Sequence, residues 1–213
     1  MGMTVGVVDY GVGNLGSVLR ALEAVGALPR LLLRPGQLAE VDRVVLPGVG
    51  SFTDCKHRLD HGGWSAALQD QVRGRGQPLL GICLGMQLLA SHGTEGADDA
   101  TGTPGLGLVP GRVQALASLG CTGRVPHVGW NGVRTARPAA LLAQVPDDTD
   151  FYFVHSYAFV PDDPQHLLAT TDYGLPVAAA VQCGAVMGTQ FHPEKSGRAG
   201  FQVLRNFLQD RPC

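Results

Sequence analysis

The first half of the chain alternates short, continuous apolar runs with stretches whose apolar residues recur at helical spacing. Val5-Gly6-Val7-Val8 reads as a buried strand, and after a glycine-rich turn Leu15, Val18, Leu19, Leu22 and Val25 mark one face of a helix that ends at Gly26. Leu31-Leu32-Leu33, Val44-Val45-Leu46 and Leu79 to Ile82 are further runs, the last leading into another helix after Cys83. Runs that are apolar throughout suit strands covered on both faces, so parallel strands with helices above and below are predicted. From about Leu106 the pattern changes to closely spaced strands: Val109 to Leu116, Phe151 to Val160, Val177 to Gln182 and Ala185 to Phe191. Some of these are expected to pair antiparallel. A last helix is predicted from about Arg198 to Gln209, with Phe201, Leu204 and Leu208 toward the core. The expected architecture is α/β: a single-domain, three-layer fold over residues 1–213, with a central, mostly parallel sheet, helices on both faces and some antiparallel strands in the second half.

Composition narrows the function classes. Hydrophobic residues make up 45% and charged residues 16%, which is globular, and a formal net charge of −2 gives no electrostatic ground for nucleic acid. No apolar run approaches the roughly 20 residues that span a bilayer, and no basic segment followed by an apolar one opens the chain. Neither membrane association nor export is expected. The five cysteines, Cys55, Cys83, Cys121, Cys183 and Cys213, are odd in number and contain no C-x-x-C pair, which fits a reducing, cytoplasmic setting. His57 and His61 could share a helix face near Asp54 and Asp60, but Gly62-Gly63 follows at once and no third ligand is evident. No metal site is expected.

The strongest chemical signal is Pro78-Leu79-Leu80-Gly81-Ile82-Cys83-Leu84-Gly85-Met86-Gln87, an apolar strand running through a cysteine into a helix with glycines two residues to either side. A sharp strand-to-helix turn holds its central side chain above the sheet and demands small neighbours, which Gly81 and Gly85 supply. A cysteine at a helix N-terminus lies near unpaired N–H groups, a position that favours the thiolate. A cysteine after an apolar strand is ordinarily a small core residue; the flanking glycines turn the balance toward a nucleophile. Its base would be His192. In Phe191-His192-Pro193-Glu194, Pro193 disfavours a helix, and in extended backbone residues i and i+2 share a face, so Glu194 can fix the imidazole's tautomer.

Two glycine-rich turns compete for interpretation. Gly11-Val12-Gly13-Asn14-Leu15-Gly16 matches the dinucleotide fingerprint G-x-G-x-x-G, yet Leu31-Leu32-Leu33 leads to Arg34-Pro35-Gly36 with no carboxylate for a ribose. Arg34 could suit a 2′-phosphate, but hydride chemistry would leave cysteine, histidine and glutamate without a task. No cofactor is expected. Pro47-Gly48-Val49-Gly50 follows the Val44 strand, where backbone N–H groups can point at a developing oxyanion, partnered by the N–H of Leu84. A turn whose glycines only satisfy backbone angles is the alternative. The segment Ser118–Arg124 suggests no function, and neither do the cysteines other than Cys83.

The elbow Gly81 to Gln87, followed by Phe191-His192-Pro193-Glu194, resembles the class I, triad-type glutamine amidotransferases. More narrowly, Asp9 to Leu15, Pro47 to Gly50, Pro126-His127-Val128-Gly129-Trp130-Asn131, Tyr152 to Tyr157 and Phe191 to Gly197 resemble the glutaminase subunits of imidazole glycerol phosphate synthases. These motifs span nearly the whole chain, and they account for the false dinucleotide fingerprint. The resemblance implies glutamine hydrolysis with Cys83 as nucleophile, His192 as proton carrier and Glu194 as its orienter. It further implies that Val49 and Leu84 serve the oxyanion and that Gly50, Gln87, Glu95, Ser156 and Tyr157 hold glutamine. The run Ser91-His92-Gly93-Thr94-Glu95 is less acidic than the family's usual stretch, which weighs against Glu95. By the same resemblance the ammonia passes to a separate (β/α)8-barrel cyclase subunit of histidine biosynthesis. Trp130, Asn131, Tyr152 and Lys195 match the face that meets it, and the Pro-Gly-Val-Gly loop stays unready until the partner binds its nucleotide. Two rival classes remain at this level: a stand-alone γ-glutamyl hydrolase-like cysteine hydrolase, and a non-catalytic binding module of the same fold.

Overall fold

The computed structural model describes residues 2–99 and 101–209. In chain order it runs β1 (Thr4–Val8), α1 (Leu15–Ala24), β2 (Leu28–Leu32), β3 (Arg43–Gly48), α2 (Phe52–His61), α3 (Trp64–Arg75), β4 (Leu79–Cys83) and α4 (Leu84–Gln87). Then come β5 (His92–Gly93), β6 (Thr103–Pro104), β7 (Gly111–Ala115), β8 (His127–Thr135), β9 (Thr149–His155), β10 (Tyr157–Pro161), β11 (Leu167–Asp172), β12 (Pro176–Cys183), β13 (Val186–Thr189) and α5 (Gly197–Gln209).

A nine-stranded sheet has the order β2-β1-β3-β4-β13-β12-β11-β8-β9, and a smaller one the order β10-β7-β5-β6. The four pairings from β2 to β13 are parallel. The four from β13 to β9 are antiparallel, so the antiparallel share exceeds what the run pattern implies. The cause is connection length: beyond the elbow most strands succeed one another through short links without a helix, and such links can only join antiparallel neighbours.

Helices cover both faces because alternate strand residues point to opposite sides. Val45, Leu80 and Met187 pack with Val18, Ala21 and Leu22 of α1 and with Val203, Leu204 and Phe207 of α5. Val44, Leu46 and Leu79 pack instead with Cys55 and Leu59 of α2 and with Trp64 and Leu68 of α3.

Four details depart from the pattern-based expectation. The strand expected from Phe151 to Val160 is two strands in different sheets, broken at Ser156. That switch carries Ser156 and Tyr157 toward the end of β4. The helix after Cys83 is a single turn, too short for an appreciable macrodipole, so any help to the sulfur comes from local donors. The core face of α5 is Gly200, Val203, Leu204 and Phe207, the i, i+3, i+4, i+7 stripe, while Phe201 and Leu208 flank it half-buried. Lastly, β2 is an edge strand in which Leu32 is buried and Leu31 faces solvent, as does Leu33 just beyond it.

Candidate active site

The parallel neighbours β3, β4 and β13 end at one edge of the sheet, and the segments leaving their carboxyl ends meet there. This is where open α/β sheets present ligand sites. Pro47-Gly48-Val49-Gly50 leaves β3, Cys83 ends β4, and Gln190 and His192 lie just beyond β13. Cys83 has φ 54° and ψ −114°, a strained conformation for a residue with a Cβ. Close packing enforces it. A Cβ on Gly81 would lie 2.6 Å from the Gly85 carbonyl oxygen, and one on Gly85 would drive into the Leu46 carbonyl.

Cys83, Leu84, Val49, Gly50, Gln87, Glu95, Ser156, Tyr157 and His192 all line one cleft, of about 190 Å³, together with Val154 and His155. Glu194 stands behind His192 with its side chain 2% exposed, and its Oε1 lies 2.7 Å from His192 Nδ1. The pairing does not arise from extended backbone as the sequence spacing implies. His192 is extended, but Pro193–Lys195 is a 3-10 turn that folds the carboxylate back onto the imidazole. Burial on its own would push His192 down. Contact with the Cys83 sulfur and the hydrogen bond to Glu194 outweigh it and hold the imidazole up at about 9. At neutral pH His192 is therefore an imidazolium between two acidic groups.

The glycine loop is tied from beneath at two carbonyls. The Tyr10 hydroxyl donates to Pro47 O at 2.9 Å, and the Cys55 thiol donates to Val49 O at 3.3 Å. Burial raises both groups, so each keeps the proton it donates. Cys55 and Tyr10 thereby acquire a role that sequence reasoning left open. Cys121 donates to Tyr173 O at 3.4 Å, Cys183 is half-buried, and Cys213 lies outside the described residues. Glu95 Oε2 accepts the Phe52 N–H at the start of α2 at 3.0 Å, and burial raises its carboxyl. Among the described residues there is no cluster of three metal-ligating side chains and no helix long and apolar enough to cross a membrane.

A family model described as glutamine amidotransferase class-I matches residues 6–210. The imidazole glycerol phosphate synthase subunit HisH of Moorella thermoacetica is 48% identical over 204 residues, which cover 95% of this chain and 93% of that protein. The subunit of the same name from Halobacterium salinarum is 46% identical, covering 97% and 93%. The chain belongs to the class-I glutamine amidotransferases, in their HisH branch. Among solved structures, PurLQS from Thermotoga maritima superposes with a TM-score of 0.76 at 18% identity over 98% of this chain and 99% of that one, and so shares the fold.

This amidotransferase carries an exposed apolar face beside its cleft. In the β8–β9 ladder Trp130 opposes Tyr152 and Val128 opposes Val154, and Trp130 is 58% exposed. The Trp130 and Tyr152 rings lie 6.1 Å apart, Lys195 Nζ lies 5.8 Å from the Tyr152 ring, and that ring is 6.4 Å from His192. Asn131 does not share this face. One residue along the strand from Trp130, its side chain turns the other way and donates to Asp172 O at 2.8 Å. That inner side also holds His127 and His155, and Gln190 is buried next to Cys83; sequence reasoning assigned none of the three a role. The available signal was a glutamine inside the apolar run Val186 to Phe191, which is costly unless it is hydrogen-bonded.

Proposed function

We propose that this amidotransferase is the glutaminase subunit of an imidazole glycerol phosphate synthase, acting in the cytoplasm as one domain over residues 1–213. The observation that carries the reading is the buried His192–Glu194 pair beside a strained Cys83, in a chain 48% identical to a HisH subunit. The Cys83 thiolate attacks the carboxamide carbon of glutamine, and the N–H groups of Val49 and Leu84 receive the developing oxyanion. The His192 imidazolium gives its proton to the departing ammonia as the tetrahedral adduct collapses to a thioester. His192 then takes a proton from water, whose oxygen attacks the thioester, and glutamate leaves with the sulfur restored. Gly50, Gln87, Ser156 and Tyr157 hold the substrate, and the Glu95 carboxylate suits its α-ammonium group.

Ammonia is useful to a synthase only in its neutral form, and in bulk water at neutral pH it would protonate and diffuse away. A partner must therefore cover the exit. Trp130, Val128 and Val154 are exposed around the half-buried Tyr152, whose ring lies beside His192, and large aromatic side chains are common interface anchors. The partner that fits is a (β/α)8-barrel cyclase subunit, with Lys195 at the rim and Asn131 supporting from the inner side. Glutamine labelled with ¹⁵N in the amide, supplied to the two-subunit mixture with excess unlabelled ammonium, is expected to deliver its label undiluted into the imidazole product. Dilution by the external ammonium would refute channelling.

The pH profile tests the proton carrier. Glutamine turnover is expected to hold up to about pH 9 and to fall above it, as His192 loses the proton that ammonia requires. A histidine raised in the folded state also stabilises the fold most below its ordinary value of 6.5, and that contribution is lost as pH climbs through about 9. In Glu194→Gln the alkaline fall should move to lower pH. An unmoved limb would show that Glu194 does not hold the imidazolium.

A further inference from the structure

We propose that Gln190 is a further catalytic residue, a carboxamide donor to the Cys83 sulfur whose orientation is imposed by a one-way run of hydrogen bonds from the Tyr157 carbonyl through Gln87. The proposal rests on the reading of Cys83 as the nucleophile.

Two backbone carbonyls, which can only accept, set the direction of the whole chain. The Tyr157 carbonyl receives Gln87 Nε2 at 3.0 Å and His155 Nδ1 at 2.8 Å. Gln87 must therefore turn its NH2 group toward Tyr157. The same NH2 meets Gln190 Oε1 at 2.9 Å, which leaves the Gln190 NH2 on the far side of its own carboxamide. There it points at Cys83 Sγ, 3.7 Å away. On the other branch, His155 carries its hydrogen on Nδ1, so its Nε2 lone pair accepts from His127 Nδ1 at 3.0 Å. His127 Nε2 in turn faces Asn131 Nδ2 at 3.4 Å, and the Asp172 carbonyl fixes that amide. Gln87, Gln190, His127 and His155 are all buried. Burial keeps both imidazoles neutral, with His155 down at about 4, as a one-way chain requires.

The consequence falls on the sulfur. A buried N–H held toward a thiol gains most when the thiol loses its proton, because a hydrogen bond to an anion is roughly twice as strong as a neutral one. Gln190 thus favours the thiolate in place of the macrodipole that a one-turn helix cannot supply. The other titratable groups that act on Cys83 are His192, backed by Glu194, and Tyr10.

The test uses the full chain mixed with the cyclase subunit and a diazoketone analogue of glutamine, with labelling read on the Cys83 peptide across the pH range. In Gln190→Met, which keeps length and loses the donor, the acid limb of the labelling rate is expected to move up by about one pH unit. Labelling below the limb should slow about tenfold, with the half-saturating analogue concentration unchanged. A limb that stays in place would overturn the proposal. Failure of the unmodified protein to label at Cys83 at all would instead remove the nucleophile reading, and the proposal with it. A second measurement is independent of any variant: in ¹⁵N–¹H spectra of the unmodified protein the Gln190 side-chain NH2 signal should shift through the same acid limb, because its partner is the Cys83 sulfur. A signal that does not move would overturn the assignment.

Discussion

Replacing Cys83 by alanine is expected to abolish glutamine hydrolysis, lowering kcat/KM by about four orders of magnitude or more, with or without the partner. Among the described residues no other thiol lines the cleft. Cys55 is engaged with the Val49 carbonyl and Cys121 with that of Tyr173, while the sulfur that faces His192 is Cys83. The fold should scarcely notice. The strained φ of 54° belongs to the elbow backbone and persists with an alanine Cβ, and beside its contact with His192 the sulfur makes only long hydrogen bonds, to Val154 O and Gln190 Nε2, both at 3.7 Å. A urea midpoint within about 1 kcal/mol of the parent is therefore expected, together with unimpaired binding to the cyclase subunit. A folded variant that still released glutamate at the parental rate would remove Cys83 from the mechanism.

The largest effect on stability is expected at Gly85. A Cβ there would collide with the Leu46 carbonyl of β3, a backbone atom in the centre of the sheet that cannot step aside. Either the elbow lifts off the sheet or β3 shifts, and each disturbs a strand end that carries the site. Overpacking of this kind typically costs 1–3 kcal/mol, and because the obstacle is backbone the cost at Gly85→Ala should reach about 3 kcal/mol or more. Gly74→Ala is the internal comparison. It lies within α3, where an added Cβ meets nothing within 4 Å, so helix propensity should stabilise it by about 0.5–1 kcal/mol. Urea midpoints of the two variants measure both effects, and a Gly85→Ala midpoint equal to the parent's would contradict the packing account.

The features legible in the chain are those set by short-range interactions. β1, β3, β4 and β13 are continuous apolar runs, and the glycines around Cys83 announce a backbone approach too close for side chains, so the centre of the sheet and the elbow are local properties. His192 and Glu194 are two residues apart, and their pairing was foreseeable even though a 3-10 turn, not extended backbone, brings it about. The sheet switch at Ser156 was not: Phe151 to Val160 is apolar enough to read as one strand, and only the need to pair with β7 separates β10 from β9. Asn131 matched the family's partner face by motif, yet strand alternation points it inward. The hydrogen bonds from Gln87 to Gln190 and from His127 to His155 join residues 103 and 28 positions apart, so nothing in either neighbourhood discloses them.

The resting state of the Pro47–Gly50 loop is the centre of the account. Tyr10 and Cys55 pin the carbonyls of Pro47 and Val49, on either side of the peptide that carries the Val49 N–H, and Val49 itself is 44% exposed beside the cleft. On the proposed function, that peptide is the element a docked, nucleotide-loaded partner is expected to turn. The decisive measurement is glutamate release from glutamine by the pure chain, first alone and then mixed with a cyclase subunit and its ribonucleotide ligand. Near silence is expected from the chain alone and a rise of at least about a hundredfold in the full mixture, which corresponds to some 3 kcal/mol of oxyanion stabilisation being completed. Equal and rapid release in both cases would contradict this and identify an autonomous hydrolase.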